Sequence, residues 1–160
     1  SDPLPFICKM ADCRENKYVK MRIPDGTFEK TIELYWPIVY KNRISLIPGD
    51  KVLIEAEETD TGLGNFKLVE KVVNPEKTME FSFTQVDKNL DMILSVKNPF
   101  PKTIKYHLKI MDFKGNINEV TSCPVKAKSF VSQKWDYVVL DLIITDMHFL
   151  EPNDAMSCVY

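Results

Sequence analysis

The stretch MEFSFTQVDKNLDMILSV, Met79–Val96, decides how the chain reads. Met79, Phe81 and Phe83 alternate with Glu80, Ser82 and Thr84; Leu90, Met92, Leu94 and Val96 alternate with Asp91, Ile93 and Ser95. A period of two sends one set of side chains to a core and the other to water, so both runs read as half-buried β-strands. Asp87-Lys88-Asn89 supplies the turn between them.

The same pattern extends in both directions. Downstream, Ile104, Tyr106, Leu108 and Ile110 alternate with Lys105, His107, Lys109 and Met111, and Lys114-Gly115-Asn116 turns the chain into Ile117–Thr121. A short strand is expected near Lys126–Val131 and a long one over Val138–Leu150. Upstream, Lys51–Glu58 and Asn65–Val73 form a hairpin around Thr59-Asp60-Thr61-Gly62-Leu63-Gly64. Before it come Tyr18–Ile23, Thr27–Trp36 and Ile38–Ile47, the last with a polar interruption at Lys41-Asn42-Arg43. Pro24-Asp25-Gly26, Pro37 and Pro48-Gly49-Asp50 separate these runs.

Composition agrees. Alanine, the best helix former, occurs only at Ala11, Ala56, Ala127 and Ala155, while β-branched residues are common and aromatics reach 11%. Ten prolines leave little room for long helices. Roughly ten short strands with turns between them predict an all-β protein, an antiparallel β-sandwich, with a barrel-like closed sheet as the alternative. No βαβ alternation points to a parallel sheet. Residues 1–17 read as an irregular N-terminal arm and 18–160 as the sandwich, with two lobes, 18–74 and 78–160, joined at Asn74–Lys77 as a variant. In strand number and length the half from Met79 to Leu150 resembles an immunoglobulin-like sandwich. Trp135 and the cysteines do not follow the Cys…Trp…Cys order of a true immunoglobulin domain.

The four cysteines, Cys8, Cys13, Cys123 and Cys158, allow two disulfides. A local Cys8–Cys13 bridge and a Cys123–Cys158 bridge are expected, and with them a periplasmic or secreted compartment; four reduced thiols would mean a cytoplasmic protein. The opening Ser1-Asp2-Pro3-Leu4-Pro5 lacks an initiator Met and reads as a processed N-terminus. No Asn-x-Ser/Thr sequon occurs, which suits a bacterial rather than a eukaryotic secretory protein. No apolar run approaches the ~20 residues of a membrane helix.

Motifs for chemistry are weak. Only His107 and His148 are available as imidazole ligands, and Cys8 and Cys13 alone fall short of a structural zinc set, so no metal or cofactor is expected. Pro48-Gly49-Asp50 before a strand resembles cupredoxin-like sandwiches, but no Cys, His and Met cluster at copper spacing. The acidic loop Glu57–Gly62 offers oxygen ligands for a hard cation without EF-hand spacing. Asp141, Asp146 and His148 lie close together on one strand and form the only arrangement from which a hydrolase site is conceivable; Asp146 and His148 share a parity. The chain reads as a non-enzyme.

The total charge of -2 conceals a segregation. Between Lys97 and Lys134 eight lysines face only Asp112 and Glu119, whereas Asp136–Asp154 holds five acids and no Lys or Arg. Lys102, Lys105, His107 and Lys109 are the expected centre of a cationic face for an acidic protein or a polysaccharide. An all-lysine patch lacking arginine and stacking aromatics does not suit nucleic acid. Phe100 between two prolines, Trp36 and Trp135 are aromatics near strand ends, either plugs of the sandwich or contact points for a partner. The expected function is an exported β-sandwich acting as an interaction or structural module, with a carrier of a small apolar ligand as the alternative.

Overall fold

A computed structural model describes residues 2–151, 153–154 and 156–158. The short helix α1, Leu4–Ile7, precedes twelve strands. They are β1 (Arg14–Ile23), β2 (Gly26–Tyr35), β3 (Val39–Tyr40), β4 (Arg43–Leu46), β5 (Asp50–Thr59), β6 (Gly62–Val69), β7 (Thr78–Gln85), β8 (Met92–Lys97), β9 (Ile104–Met111), β10 (Ile117–Val120), β11 (Phe130–Trp135) and β12 (Asp141–Phe149).

Two five-stranded antiparallel sheets pack face to face, in the orders β11-β8-β7-β5-β6 and β10-β9-β12-β4-β3. Neither sheet closes on itself, so the protein is a sandwich and not a barrel. The alternation around Met79–Val96 holds: Met79, Phe81, Phe83, Met92, Leu94 and Val96 are buried and face Ile104, Tyr106, Leu108 and Ile110 of the second sheet across one core. Both sheets draw strands from either side of Asn74–Lys77: β5 pairs with β7, and β12 pairs with β4.

Three boundaries differ from the sequence reading. The arm is shorter, because β1 begins at Arg14, and it contains α1. Ile38–Ile47 is two strands, with Lys41-Asn42 as the turn and Lys41 at φ 55. The short strand falls at Phe130–Trp135, later than Lys126–Val131, because Lys126–Ser129 makes a turn held by the Ser129 N–H to the Lys126 carbonyl at 3.1 Å.

The β1–β2 ribbon forms a third, two-stranded sheet laid across one end of the sandwich. Val19 and Met21 enter the core. At the base of the ribbon Arg14 binds Asp50, the first residue of β5, at 3.0 Å, and also donates to the Ser45 carbonyl; Lys17 reaches Asp50 at 3.3 Å. Tyr35 donates to Asp141, the first residue of β12, and Ser45 donates to the same carboxylate at 2.8 Å. Burial pushes the Asp141 carboxyl up, against the Tyr35 and Ser45 hydrogen bonds and the Arg14 and Arg43 charges, which pull it down. Further along, Arg22 and Gln85 exchange hydrogen bonds, and Arg22 also donates to the Val86 and Asn89 carbonyls of the β7–β8 turn. The ribbon thus fastens the β5 and β7 ends of one sheet to the β12 end of the other.

Both expected disulfides are present. Cys8–Cys13 closes the loop after α1, and Cys123–Cys158 ties the C-terminal segment to the stretch between β10 and β11.

Candidate functional site

The residues singled out in the sequence separate into plugs and surface. Phe100 is buried, its ring edge-on to Phe149 at 5.4 Å, and its loop is fixed by Asn98, which receives the Phe100 N–H and donates to the carbonyls of Lys102, Val125 and Lys126. Trp135 is buried at the opposite end, edge-on to Phe83 at 6.5 Å. Neither aromatic is open to a partner. Lys105 corrects the expectation that it shares an exposed face with His107 and Lys109: it is 7% exposed, and its ammonium donates to the Ser157 carbonyl at 3.0 Å. The C-terminal segment, tied down by Cys158, covers it. Lys102 is exposed and lies 5.3 Å from the Phe149 ring.

The acidic and basic segments lie side by side in one sheet, since β9 and β12 are neighbours. His107 lies 3.7 Å from Asp146, Lys109 is opposite Glu119, and Lys134 lies 3.4 Å from Asp91. Of these pairs only His107–Asp146 joins the basic stretch to the acidic one; Lys109 and Lys134 meet acids from elsewhere in the chain.

Asp141, Asp146 and His148 do not converge. Asp141 is sealed beneath Tyr35 and Ser45. The register of β12 shifts between Thr145 and His148, and Asp146 adopts φ 54. With the bulge, Asp146 and His148 both stay outside the core on either side of the buried Met147, and the Asp146 carboxylate is turned to His107 at 3.7 Å. The His148 ring instead lies 2.8 Å from the Asp146 backbone carbonyl. In the acidic β5–β6 loop the Thr59 hydroxyl is spent on the turn, donating to the Gly62 carbonyl at 2.9 Å. Among the described residues no three His, Cys, Asp or Glu side chains group as a metal site.

Trp36 does not meet the lysines: on the outer face of the β10-β9-β12-β4-β3 sheet its ring lies with Tyr40 and Arg43, while His107 stands opposite Thr145 and Lys109 opposite Ile143 and Glu119. Cross-strand pairing aligns Tyr40 with Arg43, and Thr145 with His107. Trp36 leaves the end of β2 and turns its ring toward Tyr40, edge-on at 5.7 Å. The Arg43 guanidinium lies over the Trp36 ring at 4.3 Å, and the Lys41 ammonium over the Tyr40 ring at 5.4 Å. Trp36, Tyr40, Asn42, Arg43, Thr145 and Asp146 line a groove of about 350 Å³, with Lys41 on its rim. The Arg43 Nε is buried without a hydrogen-bond partner. The sequence signal was present: Val39-Tyr40-Lys41-Asn42-Arg43-Ile44 has the Asn-bearing two-residue turn of a hairpin, which would have placed Tyr40 and Arg43 opposite one another.

A second groove of about 840 Å³ crosses the outer face of the other sheet. Phe130, Lys97, Glu80 and Leu53 stand in one cross-strand row, and Ser132, Ser95 and Ser82 in the next. Ser95 and Ser132 hydrogen-bond at 2.9 Å, and Lys97 pairs with Glu80 at 3.3 Å. Phe130 is 71% exposed and Leu68, at the far side, 44%.

No protein-family model, no curated protein and no solved structure matches this chain. The class that the fold defines is a disulfide-bonded β-sandwich.

Proposed function

We propose that this protein is an exported, non-enzymatic interaction module, periplasmic or secreted, that binds a protein or polysaccharide partner through the outer face of the β10-β9-β12-β4-β3 sheet. The observation that carries this reading is the Trp36–Tyr40–Arg43 platform. Two aromatic rings, each with a cation over it, sit partly exposed beside a groove instead of closing the core. Aromatic and arginine side chains supply most binding energy where proteins meet partners. Export is supported by the two disulfides, which persist in oxidising compartments. Among the described residues no helix is long and apolar enough to cross a membrane.

The strand order supports the immunoglobulin-like reading of the C-terminal half. With β7, β8, β9, β10, β11 and β12 taken as A, B, C, C′, E and F, the sheets contain A-B-E and C′-C-F, as in a variable-type sandwich. The place beside F, where G would lie, is taken by β4.

The test is binding of the oxidised protein to immobilised acidic and neutral glycans and to acidic and basic proteins, compared with Trp36→Ala and Lys41→Gln/Arg43→Gln variants of verified fold. Retention that both variants lose supports the reading. Retention that neither variant alters removes the site. The alternative of an apolar-ligand carrier is favoured by one observation, the Phe130–Leu53–Leu68 groove on the other sheet. A fluorescent fatty acid displaced by Phe130→Ser, with Trp36→Ala silent, would favour it.

A further inference from the structure

We infer that the Trp36–Tyr40–Arg43 groove is a site for an acidic polysaccharide, a chain of uronate-type sugars carrying one carboxylate per ring or per disaccharide. The inference rests on the interaction-module reading and names its ligand.

Charge is the first argument. Lys41 and Arg43 line the groove, and Asp146 is the one acid among its lining residues. Among the described residues no carboxylate lies within ion-pair distance of Lys41 or Arg43, whose cations rest on aromatic rings. The one acid whose ionisation Arg43 assists is Asp141, which is buried and already receives hydrogen bonds from Tyr35 and Ser45. The groove therefore offers a surplus of positive charge to an anionic ligand.

Hydrogen-bonding capacity is the second. The side chains of Asn42 and Thr145 line the groove and make no hydrogen bond among the described residues, and the Arg43 Nε–H is buried without an acceptor. Asn42 and Thr145 are open to water, and a ligand rich in hydroxyls or ring oxygens can take water's place on them; of the three groups the Arg43 Nε–H alone is dry, which is unfavourable by about 1–3 kcal/mol.

Shape is the third. The edge-on Trp36–Tyr40 pair forms a corner with one apolar wall, which suits the flat C–H face of a sugar ring. An acidic peptide would also meet the cations, so the poly-L-glutamate arm below decides between the two.

The experiment is affinity electrophoresis of the disulfide-intact protein through gels containing polygalacturonate, with its carboxyl-reduced, neutral counterpart and poly-L-glutamate as separate arms. The expected result is retardation by polygalacturonate at low salt, weaker retardation by either control, and a loss of about tenfold in affinity for Lys41→Gln/Arg43→Gln, where two charge-assisted contacts go. Asn42→Ala, at an exposed turn position and of verified fold, should lose affinity for polygalacturonate while leaving the poly-L-glutamate arm unchanged. Equal retardation by the neutral polymer overturns the carboxylate. Equal retardation by poly-L-glutamate, lost on Trp36→Ala, overturns the sugar and leaves an acidic-protein module standing. Retardation indifferent to every variant overturns the site and the function built on it.

Discussion

Asp141 is the residue on which the most structure converges. It takes hydrogen bonds from Tyr35 and Ser45, and so couples the β1–β2 ribbon to both β4 and β12. A carboxyl raised by burial ionises less readily in the folded protein than in the unfolded chain. The sign follows. Below the ordinary value of 3.8 both states are protonated, and as pH rises through the folded value the ionised unfolded state gains, so stability falls across that window. Urea unfolding between pH 3 and 6 should show this falling component in the wild type, and Asp141→Asn should remove it. A pH profile unchanged by the substitution would refute the assignment. Tyr35→Phe leaves the carboxylate short of a donor and should destabilise by about 1–3 kcal/mol in the same assay.

At the scale of elements, the β5–β6 turn and the bulge of β12 fit against each other. Gly62 has φ +135, and a Cβ there would meet the Met147 carbonyl oxygen at 2.6 Å. Backbone cannot swing aside as a side-chain tip can. Gly62→Ala should therefore cost more than the ~1 kcal/mol typical of a glycine held at positive φ. The measurement is the urea midpoint, with Gly26→Ala, which meets nothing within 4 Å, as the control for backbone strain alone. The clamp at the ribbon's base makes a second prediction. Asp50→Ala strands Arg14 in a largely buried site, and removing one partner of such a pair typically costs about 3–5 kcal/mol. Hydrogen exchange should then show β1 and β2 losing protection before β7 and β8.

For the whole molecule, the two disulfides should contribute unequally. Closing a separation of 35 residues by Cys123–Cys158 restricts the unfolded chain more than closing 5 by Cys8–Cys13; loop-closure entropy gives about 4 against about 2 kcal/mol. Urea unfolding of Cys123→Ser/Cys158→Ser and Cys8→Ser/Cys13→Ser variants reads the difference. Release of the first bridge should also open Lys105 to acylation, since the segment that covers it is tied only there among the described disulfides. The sheets also bear on the two-lobe division at Asn74–Lys77. A fragment of residues 78–160 lacks β5, which covers β7, and β4, which covers β12. It should show no cooperative unfolding transition; a cooperative one would support the division.

By itself the sequence determined the class. Alternation in Met79–Val96, Lys51–Glu58 and Ile104–Met111 is a local property, and a face buried every second residue leaves little choice but a sheet on a core. The cysteine pairs were legible as well, because neighbours at one end and a lone pair elsewhere favour one connectivity. The tertiary structure alone decided the rest. Lys105 follows the outward parity of His107 and Lys109, yet it is buried, because the covering segment arrives from Ser157, far along the chain. Asp146 and His148 follow one parity and both stay outside the core, yet at the bulge the Asp146 carboxylate turns to His107 of the neighbouring strand. Trp36 and Arg43 flank a turn that reads as a polar interruption, and they become a platform only when β3, β4 and β12 lie side by side. Periodicity reports which face of a strand is wet; which strands become neighbours depends on contacts between distant residues, and the site is made of those contacts.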